Sequence, residues 1–321
     1  MEQITKNPKI VWVHNFDTSK NPSSGVFMFD LYNQCKQSGM EISLYYISPS
    51  FNPVKLLKQI VKLRRNLKSF DIIHAQYGSA TGFVSTFARG YKILSLRGSD
   101  LFKTPAITLA EKIHISIGNL LTKLAIRRSD KIVVMSDNMK ARVKQISSKK
   151  QVDVIPDGIN LDVFKPSTIK SCNNIFRILF SSVAEYNPVK RYQLAKAAFD
   201  IFNKRVPDSE LVIMTGVAHN KVCEFVNSVD VILLTSTHEG WPNIIKEGLA
   251  CNVPFVSTNV SDLKQIADTS NCCFVCNDNP EELANALYQL WENRFQQSDL
   301  RHYIQEFDMN SIVTKIKNLY Y

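Results

Sequence analysis

Residues 235–258 read TSTHEGWPNIIKEGLACNVPFVST. An apolar run, VDVILLTS (229–236), leads into this stretch, and a second, PFVST (254–258), closes it. Both have the length and branched residues of buried strands, so the residues between them read as turn and helix. Glu239 ends the first strand, Gly240, Trp241 and Pro242 form the turn, and the helix begins near Asn243. Glu247 follows Glu239 by eight residues and falls inside that helix. Strand, turn, helix and strand in this order make a βαβ unit, the building block of a parallel sheet.

The chemistry of the turn follows from its position. A helix N-terminus leaves backbone N–H groups without intrahelical partners, which suits an anion such as a diphosphate. A carboxylate accepts two hydroxyl hydrogen bonds at once, which suits the vicinal diol of a ribose or a sugar ring. The plainer alternative is a turn-capping Glu239 and a solvated Glu247.

The same alternation extends outward in both directions. FRILFSS (176–182), ELVIM (210–214) and CCFVC (272–276) are further strands of the second half, with a helix over about 188–203 and C-terminal helices over 281–294 and 311–319. In the first half, KIVWVH (9–14), EISLYYI (41–47), FDIIHA (70–75), YKILSL (91–96), KIVVM (131–135) and VDVIP (152–156) alternate with helices, among them 25–38 and 53–68. The proline- and glycine-bearing stretch PDGINLDVFKPSTIKSCNN (156–174) separates the two series. The expected organisation is α/β. It comprises an N-terminal doubly wound domain over 1–165, a second over 166–305, and a C-terminal segment, 306–321, packing back on the first. Ligands of such sheets bind beyond the carboxyl ends of the strands, so the cleft between two such faces is the expected site.

Composition narrows the class. Residues 1–165 carry 25 Lys/Arg against 12 Asp/Glu, a balance of +13, whereas 166–321 carry 14 against 17, a balance of −3. A basic half beside a near-neutral one implies an anionic partner, with lipid, nucleic acid and a phosphorylated substrate all open on charge alone. Seven irregularly spaced cysteines do not form a disulfide framework. The lone Cys273–Cys276 pair reads as buried strand rather than metal site. No run approaches the ~20 apolar residues of a membrane span. The expectation is a cytoplasmic protein.

Residues 235–258 resemble the E-x7-E motif of glycosyltransferase family 4, whose GT-B fold sets two Rossmann-like domains facing across a cleft. The resemblance is to bacterial members that build surface polysaccharides. It implies that Glu239 contacts the donor sugar, Glu247 the ribose hydroxyls, and the backbone around Trp241, Pro242, Asn243 and Ile244, next to Gly240, the phosphates. Lys190, in NPVKRYQLAKAAF (187–199), resembles the family lysine that neutralises the diphosphate. The family arginine five residues earlier is Glu185 here, and Arg191 is the candidate second cation. LSLRGSDLF (95–103) places Arg97, Gly98 and Asp100 where the family has histidine, glycine and aspartate. Arginine is no general base, so Arg97 either steadies a leaving phosphate or acidic acceptor, or pairs structurally with Asp100. Gly25, in NPSSGVFMFDLYNQ (21–34), is either a diphosphate-approach glycine or a turn glycine. IPDGINLDVF (155–164) matches the family's interdomain turn. His14 and His74 close strands, and each fits a hydrogen-bonded core residue better than a catalyst.

No Asp-x-Asp pair and no G-x-G-x-x-G occur, so neither a metal-bridged diphosphate nor a nicotinamide cofactor is expected. The resulting expectation is a retaining, metal-independent transferase. Its nucleotide-sugar donor reacts with a lipid-linked or oligosaccharide acceptor, with no nucleic-acid partner. Residues 55–68 (KLLKQIVKLRRNLK) form a basic amphipathic helix suited to an anionic membrane surface. The alternatives are a non-catalytic sugar-nucleotide-binding subunit and a GT-B epimerase or hydrolase.

Overall fold

The computed structural model describes residues 8–19, 24–106, 108–167, 175–182, 187–294 and 299–321. They fall into two units, one containing residues up to Gly158 together with Met309–Tyr321, the other Ile159–Asp308.

The first unit holds strands β1 (Ile10–His14), β2 (Ile42–Tyr46), β3 (Ile72–Ala75), β4 (Tyr91–Ser95), β5 (Lys131–Val134) and β6 (Gln151–Val154). Between them run α1 (Val26–Gln37), α2 (Pro53–Asn66), α3 (Ser79–Ser85), α4 (Leu109–Arg128) and α5 (Asp137–Ile146). The sheet order is β2-β1-β3-β4-β5-β6 and every pairing is parallel. Each residue of β1 and β3 is buried, as in a sheet covered by helices on both faces. Val11, Val13 and Ile73 join Leu63, Leu67 and Val84 in one apolar cluster. Local chemistry sets the helix starts. Asn52 accepts from the N–H groups of Val54 and Lys55, and Thr108 and Glu111 form a capping box.

The second unit holds β7 (Phe176–Ser181), β8 (Ser209–Met214), β9 (Val231–Leu234), β10 (Phe255–Thr258) and β11 (Phe274–Cys276). Its helices are α6 (Tyr192–Asn203), α7 (His219–Asn227), α8 (Asn243–Ala250), α9 (Leu263–Ala267) and α10 (Pro280–Glu292), followed by a 3-10 segment, Arg301–Phe307. The order β11-β10-β9-β7-β8 is again wholly parallel. Phe176, Ile178 and Phe180 of β7 pack with Phe202 of α6 and Leu283 and Leu287 of α10 in its core. The ends of this unit are paired: Ile159 N–H donates to the Phe307 carbonyl at 2.9 Å, and Ile159 and Asp308 form a parallel bridge.

The last helix, α11 (Met309–Tyr320), returns to the first unit and packs on α1. Its Tyr320 hydroxyl accepts from Trp12 Nε1 at 2.7 Å and meets His74 Nδ1 at 2.5 Å, while His74 Nε2 meets Ser95 Oγ at 2.7 Å. All four side chains are buried.

Two sequence expectations shift locally. The strand before Glu239 ends at Leu234, so Glu239 lies on a loop five residues beyond it. The helix expected from 188 starts at Tyr192, because Arg191 adopts φ 52° and Asn187 closes a turn on Val189 first.

Candidate active site

In the second sheet the strand sequence reverses direction between β7 and β9, and the loops leaving these two strands carry the candidate residues. Such a switch point opens a crevice at the carboxyl ends of the strands. Between β7 and α6, Asn187 has a side chain that accepts from Val189 N–H at 2.9 Å and a carbonyl that accepts from Lys190 N–H at 3.0 Å. The loop after β9 is tied to it, with Thr237 N–H donating to the Val189 carbonyl and Thr235 Oγ1 to the Lys190 carbonyl at 2.7 Å. Thr258 Oγ1, at the end of β10, donates to the Ser236 carbonyl at 2.8 Å.

This lacing brings Lys190 Nζ to 2.6 Å from Glu239 Oε1, and Ser236 Oγ donates to the same oxygen at 2.7 Å. Both members of the ion pair keep about a fifth of their side-chain surface in solvent. His238, beside them, has its imidazole pKa lowered, chiefly by burial.

Arg191 goes elsewhere. Its guanidinium donates to the carbonyls of Thr235 (2.6 Å) and Ser236 (3.0 Å) and grips the Asp278 carboxylate, holding it below the ordinary aspartate range. Lys190 and Arg191 therefore diverge, one into the crevice and one into the loop scaffold. Glu185 lies outside the described residues.

Past Glu239, the Gly240 carbonyl accepts from Ser261 Oγ at 2.7 Å, and Trp241 is buried with its ring 4.7 Å from that of Phe307. Pro242 occupies the N-cap of α8 and offers no side-chain cap. The first N–H groups of the helix, at Asn243 and Ile244, thus have no side-chain cap. Glu247 is the fifth residue of α8 and only partly exposed. Gly248 explains why it sits so deep: a Cβ there would come within 2.2 Å of Ile232 Cδ1, so glycine lets α8 press onto β9. Burial pushes the Glu247 carboxyl up to about 7, with neighbouring Lys246 drawing it partly back. Glu239, on the loop that leads into α8, pairs with Lys190, and Glu247 lies on that helix; carboxylates and an ammonium of this kind can bind a polyhydroxylated anion.

The remaining candidates, His14, Gly25, Arg97 and Asp100, gather at the carboxyl edge of the first sheet. Gly25 has φ 71°, and a Cβ on it would meet the Phe16 ring at 2.4 Å. Phe16 stacks on His14 at 6.3 Å and meets Phe27 at 5.4 Å, and Arg97 lies over Phe27 at 4.9 Å. His14 is buried and its pKa lowered by that burial, and its Nδ1 has no hydrogen-bond partner among the described residues. Of the two readings of Arg97, the structural pair with Asp100 is made through the Arg97 backbone N–H and not through its guanidinium. The Arg97 guanidinium pairs with Asp157 and donates to the carbonyl and Oε1 of Gln76 at 3.3 and 2.7 Å. Asp100 instead accepts backbone N–H groups from Gly78 (2.7 Å), Arg97 (2.9 Å) and Gly98 (3.0 Å), fixing the loops that follow β3 and β4. Burial raises its carboxyl pKa while these donors pull it down.

Two family models match the chain: "Glycosyltransferase Family 4" over residues 30–163 and "Glycosyl transferases group 1" over 187–293. The chain belongs to glycosyltransferase family 4. An uncharacterised glycosyltransferase of Methanocaldococcus jannaschii is 22% identical, covering 92% of this chain and 88% of that protein. A putative teichuronic acid biosynthesis glycosyltransferase of Bacillus subtilis, TuaC, is 21% identical over 88% of this chain and 90% of its own. Among solved structures, HepE of Anabaena, in complex with UDP and glucose, superposes with a TM-score of 0.72 at 16% identity, covering 98% of this chain and 99% of that one. The fold of this family 4 glycosyltransferase is accordingly GT-B.

Several residues that shape the candidate site carry no signal in the sequence. Ser236, Asn187 and Asp278 are ordinary polar residues until the switch point brings three loops together. Gln76 and Asp157, the holders of Arg97, lie 21 and 60 positions from it. The one available cue was position, since Gln76 directly follows the apolar run of β3.

Proposed function

We propose that this family 4 enzyme is a retaining glycosyltransferase. It moves a sugar from a nucleoside-diphosphate sugar onto a lipid-linked acceptor of a surface polysaccharide, without a metal ion. One observation carries the reading: Lys190 and Glu239, from loops on either side of a switch point, meet on the loop that leads into the helix bearing half-buried Glu247. In this reading Glu247 accepts the ribose hydroxyls and Glu239 a hydroxyl of the sugar. The α8 N-terminus and Lys190 hold the diphosphate. Lys190 is then shared between Glu239 and the phosphates, and its positive charge stabilises the charge that grows on the departing nucleoside diphosphate. The acceptor hydroxyl attacks from the face the diphosphate leaves, so positioning does most of the catalytic work. The complex of HepE with UDP supports a uridine donor, and the name of TuaC supports a polysaccharide product. The +13 balance of residues 1–165 supports an acceptor met at an anionic membrane surface.

A second reading, a sugar-nucleotide-binding subunit without turnover, is favoured by Arg97, whose guanidinium is occupied by Gln76 and Asp157 where the family has a histidine. Calorimetric titration with UDP- and GDP-sugars, together with Glu247→Ala and a radiolabelled transfer assay on membrane lipids, separates the readings. Binding that Glu247→Ala weakens, accompanied by lipid labelling, supports the transferase. Binding without labelling supports the subunit, and no binding of any donor refutes both.

A further inference from the structure

Helix α4 packs into the first unit through Gly118, Leu121, Thr122, Ala125 and Ile126. Its opposite side carries Leu109, Ile113, Ile117 and Leu120, which remain 73, 53, 38 and 56% exposed. Spacings of four, four and three residues align them in a single row along the helix. Helix α2 repeats the pattern, with Val54, Leu57 and Val61 each about three-fifths exposed. The start of α2 abuts the first half of α4. Phe51, just before α2, lies 4.3 Å from the His114 ring and against Gly118 of α4.

Charge surrounds both rows. Helix α2 carries Lys55, Lys58, Lys62, Arg64 and Arg65 and no acidic residue. Exposed Lys112 and Lys123 flank the α4 row, and the Glu111 carboxylate is bound to Thr108 N–H in the capping box. We propose that these two helix faces form one insertion surface for an anionic phospholipid leaflet. The α4 row enters the acyl boundary and the lysines of both helices meet headgroup phosphates. The proposal rests on, and deepens, the membrane-surface part of the proposed function. Charge argues against a second copy of the chain as the occupant. Pairing this face with itself would set two sets of lysines and arginines against one another.

The test is vesicle flotation of the full chain, with phosphatidylcholine alone and with about one-third phosphatidylglycerol. The chain is expected to float only with the anionic vesicles. The exposed-row variant Leu109→Ser/Ile113→Ser/Leu120→Ser is expected to lower partitioning about tenfold or more, given the apolar area withdrawn. Its circular dichroism should be unchanged. Ile113→Trp is expected to gain a blue-shifted emission component quenched by brominated lipid. Undiminished partitioning of the triple variant, or Ile113→Trp emission indifferent to vesicles, overturns the proposal. So does a triple variant that turns a dimer into a monomer while flotation stays the same. Titration of the triple variant with UDP-sugars keeps the two readings apart. Lost flotation with intact donor binding is the expected pattern, and flotation without donor binding in the wild type removes the donor-site reading alone.

Discussion

Glu247 sits where two demands oppose each other. A carboxyl with its pKa near 7 costs the fold something when it ionises, yet the ribose contact proposed for it is made best by the carboxylate. Its folded pKa lies above the ordinary value of 4.5. Between those two values the native state therefore binds more protons than the unfolded chain, and this group's contribution to stability falls as pH rises through that window. Donor affinity should move the other way, rising as pH climbs through about 7. Titrations of wild type and Glu247→Gln across this range check both trends, and the glutamine variant should show neither. Truncating Glu247→Ala should cost about 1.5–3 kcal/mol of donor binding, the worth of hydrogen bonds to a charged acceptor. Unchanged affinity in that variant removes the ribose role.

A second residue-scale prediction concerns Tyr320. Trp12 Nε1 can only donate, so the Tyr320 hydroxyl accepts from it and donates onward to His74 Nδ1. His74 then carries its proton on Nε2, facing Ser95. Burial and the nearby Arg97 lower its pKa to about 3, which keeps the ring neutral. Tyr320→Phe leaves a buried indole N–H and an imidazole nitrogen unpaired and should destabilise the first unit by about 2–4 kcal/mol, measured by denaturant unfolding. The network links residues up to 308 positions apart. The sequence could show a buried histidine at a strand end, but not the C-terminal tyrosine that satisfies it. Lys190 and Glu239, 49 positions apart, were each legible as a motif residue, whereas their ion pair was not.

At the scale of elements, the eleven strands among the described residues are readable because each is a short, largely apolar run bounded by turn residues, the pattern that parallel sheets covered by helices favour. Shorter or less regular pieces are not. Helix α9 spans Leu263–Ala267, too few residues for a periodic signal. Helix α6 starts later than its periodicity predicts because two local events outweigh helix propensity, the Asn187 turn and the left-handed Arg191. The start of α1 was legible through Gly25, although its cause was not, since glycine is needed there for both its positive φ and its contact with the Phe16 ring. Gly25→Ala should therefore displace Phe16 and cost about 1–3 kcal/mol from backbone strain and contact together, read as a lowered Tm. Because Phe16 bridges toward Phe27 and Arg97, the same variant should also disturb the environment of Arg97, which Phe27→Leu in the wild-type background would reproduce.

Over the whole molecule, fold class followed from alternation and from the 235–258 segment. The first unit is assembled from both ends of the chain, with α11 supplying Ile312, Ile316, Leu319 and Tyr320 to its interior. Deleting residues 309–321 should consequently destabilise the first unit while leaving the second intact, so that calorimetry shows one transition lowered and one unmoved. A single cooperative loss of both transitions would refute this division.

Ile159 and Asp308, the first and last residues of the second unit, lie side by side in a bridge. A segment whose two ends touch can be excised, permuted or replaced with only two junctions placed next to each other. Residues 159–308 thus have the form of a cassette. Recombination at these points can trade the half proposed to hold the donor and leave the other half intact, its sheet and closing helix included. If the proposed division of labour holds, a lineage built on this plan can change which sugar it adds without rebuilding the half proposed to meet the acceptor.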